Sequence, residues 1–159
     1  MLSLEYMDDS DFDSYLDWSV KNYADEKVRA GTWPADDALR RSREEFSHLL
    51  PAGRKSDNMH LFKMVEGDTS AKVGILWVGI SGGNQDYGGA FIWDIMVYPE
   101  FRGKGYGKGA LAALESKVRQ LGAHRITLHV FGHNTTAIGL YRKSGYLVTD
   151  LIMSKELGE

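Results

Sequence analysis

The sequence predicts an α/β (α+β) domain built around one mixed β-sheet. Strand-like runs dominate the first half of the chain, and strands alternate with helices in the second half. A chain of 159 residues buries about two-thirds of its unfolded surface, which suits one hydrophobic core. Since no repeat, low-complexity tract or linker interrupts the chain, we expect a single domain over residues 1–159.

The N-terminal half is predicted from apolar spacing and from the residues that bound each run. Asp8 or Ser10 is suited to cap a helix whose apolar residues recur near the helical period. Gly31 and Pro34 lie in a turn that separates this helix from the next. The predicted elements are a strand at 2–6, helices from 8 or 10 to about 27 and from 36 to 50, strands at 60–65, 72–81 and 90–98, and a Gly/Asn loop at 82–89.

In the C-terminal half, the pattern changes from strands to an alternation of helices and strands. Asn134 is a favourable N-cap for a short helix, and Tyr141 lies about two turns later on the same helix face. Gly145 suits the left-handed residue that ends a helix. The predicted elements are a helix at 106–121, a β-branched strand at 125–131, the helix that begins at Asn134, and a final strand at 146–153.

A glycine-rich segment, residues 102–108, lies between a predicted strand and a predicted helix. Its three glycines allow close backbone approach and let N–H groups converge on one point. The helix start adds unpaired N–H donors and the positive end of the helix dipole. Because three residues of the segment are also basic, we predict that it binds phosphate, most favourably a pyrophosphate. Its residues are Arg102, Gly103, Lys104, Gly105, Tyr106, Gly107 and Lys108.

Spacing distinguishes three phosphate-binding patterns. The P-loop needs a Gly five residues before a Gly-Lys pair and a Ser or Thr after it, but Arg102 and Gly109 occupy those positions. The dinucleotide fingerprint fits loosely over residues 105–110, but no acidic residue lies between Glu115 and Asp150 to hold a ribose. The third pattern is Arg-x-x-Gly-x-Gly, beginning at Arg102.

This third pattern resembles the acetyl-CoA pyrophosphate loop of the GNAT-superfamily N-acetyltransferases. Downstream, Asn134-x-x-Ala137-x-x-x-Tyr141-x-x-x-Gly145-Tyr146 is similar to the second half-motif of that family. Two half-motifs at the expected separation make the resemblance specific, and it covers roughly residues 71–154. The resemblance implies a mixed, splayed central sheet of about six or seven strands, flanked by about four helices.

The resemblance also implies a function and a set of contacts. It implies transfer of an acetyl group from acetyl-CoA directly to an amino group of a small molecule or protein, without a metal or a covalent enzyme intermediate. The backbone of Met96 and Val97 would pair with the pantetheine arm, and Asn134 would touch the pantetheine or diphosphate region. The implied cofactor-binding residues are Met96, Val97, Arg102, Gly103, Lys104, Gly105, Tyr106, Gly107, Lys108, Asn134 and Tyr141.

Two residues are candidates for proton transfer. By the resemblance Tyr141 lies beside the sulfur, where its neutral hydroxyl would donate to the leaving thiolate; its alternative role is that of a core tyrosine. Asp94 is a carboxylate in an otherwise apolar strand, where burial raises its pKa. It is either the base for the acceptor amine or a group that holds the neighbouring backbone. Polyamine-type family members commonly carry a glutamate one position earlier, where this chain has Trp93.

Composition excludes several other classes. Zero cysteines exclude disulfides, zinc–thiolate sites and a cysteine nucleophile. His129 and His133 have no acidic or cysteine residue near them in the sequence, so we expect no metal site. The longest nearly apolar run, residues 73–80, is too short to cross a bilayer. The first residues lack the basic start and apolar core of a signal peptide, so we expect a cytoplasmic protein.

The net charge of −3 conceals an asymmetry. Residues 1–20 contain six acids and no Lys or Arg, whereas residues 101–125 contain six basic residues and one acid. These regions are either two solvated surfaces or the two ends of a site for an anionic cofactor and a cationic acceptor. The basic region is too small to indicate nucleic-acid binding. A non-catalytic acyl-CoA-binding module is the alternative function, and a homodimer would be common for the resembling family.

Overall fold

The structure is a computed structural model, and it describes residues 1–82 and 85–159. In chain order its strands and helices are β1 (Leu2–Tyr6), α1 (Asp9–Arg29), α2 (Ala38–Leu49), β2 (Met59–Glu66), β3 (Lys72–Gly82), β4 (Gln85–Val97), α3 (Tyr106–Gln120), β5 (Ile126–Leu128) and α4 (Thr135–Lys143). Short 3-10 helices lie at Gly53–Lys55 and Pro99–Phe101. The mixed α+β class and the four α-helices predicted from the sequence are confirmed in the described part of the chain.

The strands form one sheet in the order β1-β2-β3-β4-β5. β1 to β4 are antiparallel neighbours, and β5 joins β4 in parallel. A parallel neighbour needs a crossover connection, and α3 supplies it between β4 and β5. The glycine-rich segment therefore begins this crossover, directly after β4.

Side-chain alternation along the inner strands gives the sheet two apolar faces. On β3, Leu76 and Val78 pack with α3, whereas Ile75 and Trp77 pack with α1 and α2. Each face has its own buried cluster, because successive strand residues point to opposite sides. The α3 face includes Phe62, Met64, Leu111, Leu114 and Val118, and the α1 face includes Met7, Phe12, Tyr15, Phe46 and Leu61.

Acidic residues at the start of α1 stabilise the fold. Asp8 and Asp11 form a reciprocal capping box at the helix N-terminus. Asp11 also pairs with Lys63 at 3.1 Å and with Lys72. Burial alone would raise the pKa of Asp11, but its hydrogen bonds from Lys72, the Asp8 N–H and Lys63 hold that pKa well below the usual range.

The predicted final strand at 146–153 is wrong. Residues 146–159 have no regular secondary structure, so the described part of the chain contains five strands instead of six or seven. A strand is stable only when a neighbour pairs with its backbone, and this segment pairs with none of the described strands. Strand propensity in the sequence therefore did not suffice to form the strand within one chain.

Two strand boundaries also differ from the prediction by more than two residues. β4 begins at Gln85 instead of Ala90; residues 83–84 of the predicted loop at 82–89 lie outside the described residues, and the rest of that loop belongs to β3 and β4. β5 ends at Leu128 instead of 131. It is short because β4 pairs with it over only three residues, after which the two strands separate.

Candidate active site

A cleft opens where β4 and β5 separate. The two strands pair only between Ala90–Ile92 and Ile126–Leu128, and β4 then continues to Val97 beside the cleft. The cleft has a volume of about 1010 Å³. That is at the upper end of the roughly 300–1,000 Å³ typical of ligand sites. Its walls come from α1, α2, the second half of β4, the glycine-rich segment, the residues after β5, and α4.

A β-bulge in β4 sets the direction of the side chains beside the cleft. On β3, Trp77 faces Asp94 whereas its neighbour Val78 faces Ile92, so Trp93 is the extra residue. Ile92 therefore packs on the α3 face, while Trp93 and Asp94 both turn to the α1 face. Without the bulge, strict alternation would direct the Asp94 carboxylate to the α3 face.

The carboxylate of Asp94 is held by a residue from α1. The Tyr15 hydroxyl donates a hydrogen bond to Asp94 Oδ2 at 2.8 Å. Burial raises the pKa of Asp94 to about 6, although hydrogen bonds from Tyr15 and the Ile95 N–H act in the opposite direction. Burial, followed by the charge of Asp94, also raises the pKa of Tyr15 well above its usual value. At pH 7 the pair therefore consists of a neutral phenol and a mostly ionised carboxylate.

Tyr141 enters the cleft from α4, and the ends of that helix are well defined. Asn134 caps the helix, with its Oδ1 accepting from the Ala137 N–H at 3.2 Å. Gly145, at φ 91°, follows the helix end in the left-handed conformation. Burial, and then the nearby charge of Asp94, raise the pKa of Tyr141 to about 12. Its hydroxyl therefore stays protonated and can donate a hydrogen bond into the cleft.

The glycine-rich segment presents backbone to the other end of the cleft. Gly103 and Gly105 have φ of 76° and 84°, in the left-handed region that favours glycine. Gly105 is the N-cap of α3, and no side chain in the described ranges caps that helix. A Cβ added at either glycine would meet no described heavy atom within 4 Å. Such a Cβ would instead project into open space, and the uncapped N–H groups of α3 suit an anion.

The predicted site residues converge on this cleft. Of the described residues named from the sequence, those lining it are Asp94, Met96, Val97, Arg102, Gly103, Gly105, Tyr106, Gly107, Lys108, Asn134 and Tyr141. Lys104 does not line the cleft, and its ammonium lies 5.8 Å from the ring centroid of Phe101. The carbonyl of Val97 already accepts from Arg102 Nε at 3.0 Å, so one predicted backbone partner is partly engaged.

Sequence reasoning missed Tyr15 as a site residue. Its place on the apolar face of α1 indicated only burial, and the reach of its hydroxyl to β4 depends on the bulge. Of the two interpretations of the acidic residues 1–20, the acceptor end of a site does not match this cleft, because none of the six acids lines it as described. The cleft instead takes its carboxylates from Glu26, Glu45 and Asp94.

Histidines line the same wall as these acids. His133 Nε2 lies 2.5 Å from Glu26 Oε2, joining α1 to the segment before α4. Burial, and then the charge of Lys27, lower the pKa of His129. Among the described residues, no cluster of three or more His, Cys, Asp or Glu side chains is arranged to bind a metal ion. In the same described part, none of the helices is both long and apolar enough to traverse a membrane.

A model of the acetyltransferase (GNAT) family matches residues 13–146. The chain is 42% identical over 156 residues to the "Uncharacterized N-acetyltransferase YycN" of Bacillus subtilis (strain 168), which covers 98% of this chain and 99% of that protein. It is 37% identical over 155 residues to the "Uncharacterized N-acetyltransferase YdgE" of the same strain, covering 98% of each.

Solved structures agree with these matches. The crystal structure of Bacillus subtilis YycN is similar with a TM-score of 0.93 and 41% identity, over 100% of both chains. A "predicted acetyltransferase with acetyl-CoA" from Clostridium acetobutylicum has a TM-score of 0.60 and 17% identity, covering 98% of this chain and 96% of that one. The second likeness shows the fold alone.

Proposed function

Because the chain belongs to the acetyltransferase (GNAT) family, we propose that it is an enzyme that transfers the acetyl group of acetyl-CoA directly to an amine within a ternary complex. The observation that carries the proposal is the cleft itself. One cleft contains a glycine-rich helix N-terminus, a carboxylate with a pKa of about 6 and a protonated tyrosine hydroxyl. We propose that residues 1–159 act as one such domain.

The residues at the basic end of the cleft fit the diphosphate of coenzyme A. The N–H groups from residue 103 to residue 108 would bind its oxygens, and the side chains of Arg102 and Lys108 would add positive charge. Asn134 uses its Oδ1 to cap α4, so its amide NH₂ is available to the pantetheine arm. The Clostridium acetobutylicum protein of the same fold, solved with acetyl-CoA, supports this choice of ligand.

We assign Asp94 as the base. Acetyl-CoA supplies an activated thioester, and the acceptor amine must lose a proton before it attacks. With a pKa of about 6, Asp94 is mostly ionised at pH 7 and can take that proton within the cleft. The Tyr15 hydrogen bond holds the carboxylate in place for this role. If Asp94 only supports the backbone, its replacement by Asn will leave the pH dependence of the rate unchanged.

We assign Tyr141 as the group that stabilises the leaving sulfur. Its pKa of about 12 lies above the reference value of about 8.5 for a thiol, so full proton transfer to the thiolate is unfavourable. A hydrogen bond from the phenol to the developing negative charge is favourable, and it strengthens as the charge grows. Tyr141 therefore acts as a hydrogen-bond donor in the transition state.

We propose a cationic amine as the acceptor. Glu26 and Glu45 lie on the cleft wall together with aromatic rings, among them Trp18 and Phe91. Such a wall attracts a positively charged amine and can pack against its carbon chain. Lys27 also lines the cleft, but its ammonium lies over the ring of Tyr23, 5.5 Å from the centroid.

Release of free thiol from acetyl-CoA in the presence of amines tests the proposal. The panel contains a polyamine, an aminoglycoside, free amino acids and a lysine-containing peptide. The proposal predicts thiol release with at least one cationic amine and little release without amine. Thermal stabilisation by coenzyme A with no thiol release from any amine would instead establish the competing function, a non-catalytic acyl-CoA-binding module. The bulge favours the enzyme, since it places a carboxylate on the cleft face although Trp93 occupies the preceding position.

A further inference from the structure

The C-terminal end of α1 and the N-terminal end of α4 meet across the cleft. His133, one residue before the α4 N-cap Asn134, places its Nε2 2.5 Å from Oε2 of Glu26 in the last turn of α1. The side chains of His133 and Glu26 are 25% and 28% exposed. Salt and water screen such a partly buried pair less than an exposed one. The Glu26–His133 contact can therefore hold the two helices at a fixed distance.

Neighbouring rings fix the orientation of the His133 imidazole. It stacks on Phe131, with ring centroids 5.5 Å apart and an angle of 10° between the ring planes. Phe131 in turn meets the ring of His129 edge-on, with centroids 4.9 Å apart. Burial, and then the charge of Lys27, lower the pKa of His129, so that this histidine stays neutral beside an ammonium. The last turn of α1 therefore presents a carboxylate to His133 and an ammonium to His129.

The other anchor of α4 lies near its C-terminal end. Every residue of α4 is at least partly exposed to solvent. Leu140 and Tyr141 pack on the α3 face, and a Cβ at Gly107 would lie only 3.0 Å from Leu140 Cδ2. The segment after α4 pairs with none of the described strands. The N-cap of α4 lies six residues before Leu140, about 9 Å along the helix axis, so these apolar contacts restrain that end only weakly.

We propose that Glu26 and His133 are positioning residues for coenzyme A: their contact fixes the N-terminal end of α4, so that the amide of Asn134 faces the pantetheine arm. Oδ1 of Asn134 accepts from the Ala137 N–H, so the direction of its NH₂ group follows that of the helix end. A rotation of α4 about Leu140 would carry the NH₂ group away from the cofactor. The inference rests on the proposed function, because it requires coenzyme A in the cleft.

The Glu26–His133 contact lies far from the proposed base. Tyr15, which holds Asp94, precedes Glu26 on α1 by eleven residues, about 16 Å along the helix axis. Removal of the contact should therefore leave the pKa of Asp94, followed by carbon NMR of its carboxyl group, unchanged. A changed pKa of Asp94 would show that the variant disturbs α1 as a whole, and it would overturn the assignment of a positioning role.

Calorimetric titration with coenzyme A tests the role of the contact. His133→Ala and Glu26→Ala each remove it and should weaken coenzyme A binding about three- to tenfold, as expected for one misplaced hydrogen-bond donor. Glu26→Gln keeps an oxygen that accepts from His133 Nε2 and should bind within about twofold of the wild type. Arg54→Ala is the matched control, because it breaks a 2.6 Å ion pair with Asp9 at the other end of α1, outside the cleft. Its affinity should equal that of the wild type.

A double-mutant cycle tests whether the contact acts through Asn134. Asn134→Asp keeps the oxygen that caps α4 but lacks the NH₂ donor, so it should also weaken coenzyme A binding. Adding His133→Ala to this variant should cause little further loss, about twofold at most. Additive losses, unchanged affinity in the two Ala variants of the contact, or an equal loss in Arg54→Ala would each overturn the inference alone. Absence of coenzyme A binding to the wild type would overturn it together with the proposed function.

Discussion

The Tyr15 hydroxyl donates to Asp94 Oδ2 at 2.8 Å and so connects the first helix with the point where β4 leaves β5. The contact depends on the bulge at Trp93, which turns Asp94 to the face that α1 covers. It places an ionisable group of raised pKa in the wall of a cleft that also contains Tyr141. A buried carboxylate in this position should affect both the stability and the activity of the protein.

Asp94→Asn should increase stability at neutral pH. Burial raises the pKa of Asp94 from its ordinary value of 3.8 to about 6 in the folded protein. As pH rises from 4 to 6, the unfolded chain ionises this group before the folded chain does, so the wild type loses stability. The loss is on the order of 2–3 kcal/mol, and the Asn variant avoids it. Chemical denaturation of both chains across this range measures the difference in the free energy of unfolding.

The difference between the two chains should grow between pH 4 and pH 6 and stay constant above. Carboxylates with lowered pKa, such as Asp37, contribute equally to both chains and cancel. A difference independent of pH would contradict the raised pKa of Asp94. Tyr15→Phe serves as a second check. Loss of its hydrogen bond should raise the pKa of Asp94 further, so the loss of stability on ionisation of Asp94 should extend to higher pH.

The rate should depend on the ionisation of Asp94. As a base it works only when deprotonated, so kcat/KM should rise with pH through about 6. Asp94→Asn should remove this rise in kcat/KM, and Tyr15→Phe should shift the rise to higher pH. The measurement is a pH profile with the best amine of the panel. If kcat/KM of the Asn variant still rises with pH as in the wild type, Asp94 is not the base.

Local signals predicted most of the fold. β1 has the predicted bounds, residues 2–6, and Asp8 is the N-cap of α1, because short-range patterns decide such features. The bulge in β4 was not visible, since residues 91–97 are apolar on both sides of Asp94 and show no alternation to break. The strand at 146–153 failed because a strand depends on a partner that local sequence does not supply.

The candidate site likewise contains residues that local sequence predicts and residues that only tertiary packing brings together. Its glycines and Tyr141 are close in sequence to recognisable turns and caps, and they line the cleft. Tyr15 is distant in sequence from Asp94, and only the packing of α1 on the sheet brings them together. The acids of the first 20 residues were associated with the acceptor on charge alone, but Asp9 and Asp11 form ion pairs that stabilise the start of α1.

Tyr141→Phe should lower kcat without weakening cofactor binding. The lost hydrogen bond acts on the charge that develops on sulfur, so the expected decrease in kcat is about 10²–10³-fold. Tyr146→Phe is the matched control, because burial also raises its pKa to about 12 and its ring centroid lies 5.8 Å from that of Tyr141. Steady-state kinetics and coenzyme A titration measure both effects. Equal decreases in kcat in the two variants would show that Tyr141 has no specific role in stabilising the leaving sulfur.

Gly105→Val should abolish coenzyme A binding and leave the protein folded. Its Cβ would fill the space in front of the α3 N-terminus, so we expect affinity to fall at least about 100-fold. Gly122→Val is the control, since Gly122 also has a positive φ, at 90°, and its Cβ also meets no described atom within 4 Å. Calorimetric titration compares the two. Unchanged affinity in the Gly105 variant would show that the diphosphate binds elsewhere.

Gly74→Ala should destabilise the sheet. A Cβ at Gly74 would lie 2.1 Å from the Met96 carbonyl oxygen and 2.8 Å from Met64 Sδ, so β3 and β4 must move apart. We expect a loss of roughly 1–3 kcal/mol. Gly139→Ala in α4 meets no described atom within 4 Å and should stabilise the protein by about 0.5–1 kcal/mol. Urea denaturation should show that the free energy of unfolding falls in the Gly74 variant and rises in the Gly139 variant. An unchanged free energy of unfolding in the Gly74 variant would contradict the close approach of β3 and β4.

A crystal of the protein soaked with coenzyme A tests the proposed site most directly. We predict that the diphosphate oxygens will lie against the N–H groups of residues 103–108 and that the sulfur will lie within hydrogen-bond reach of the Tyr141 hydroxyl. Electron density for the diphosphate at any other place, or a sulfur directed away from Tyr141, would contradict the account.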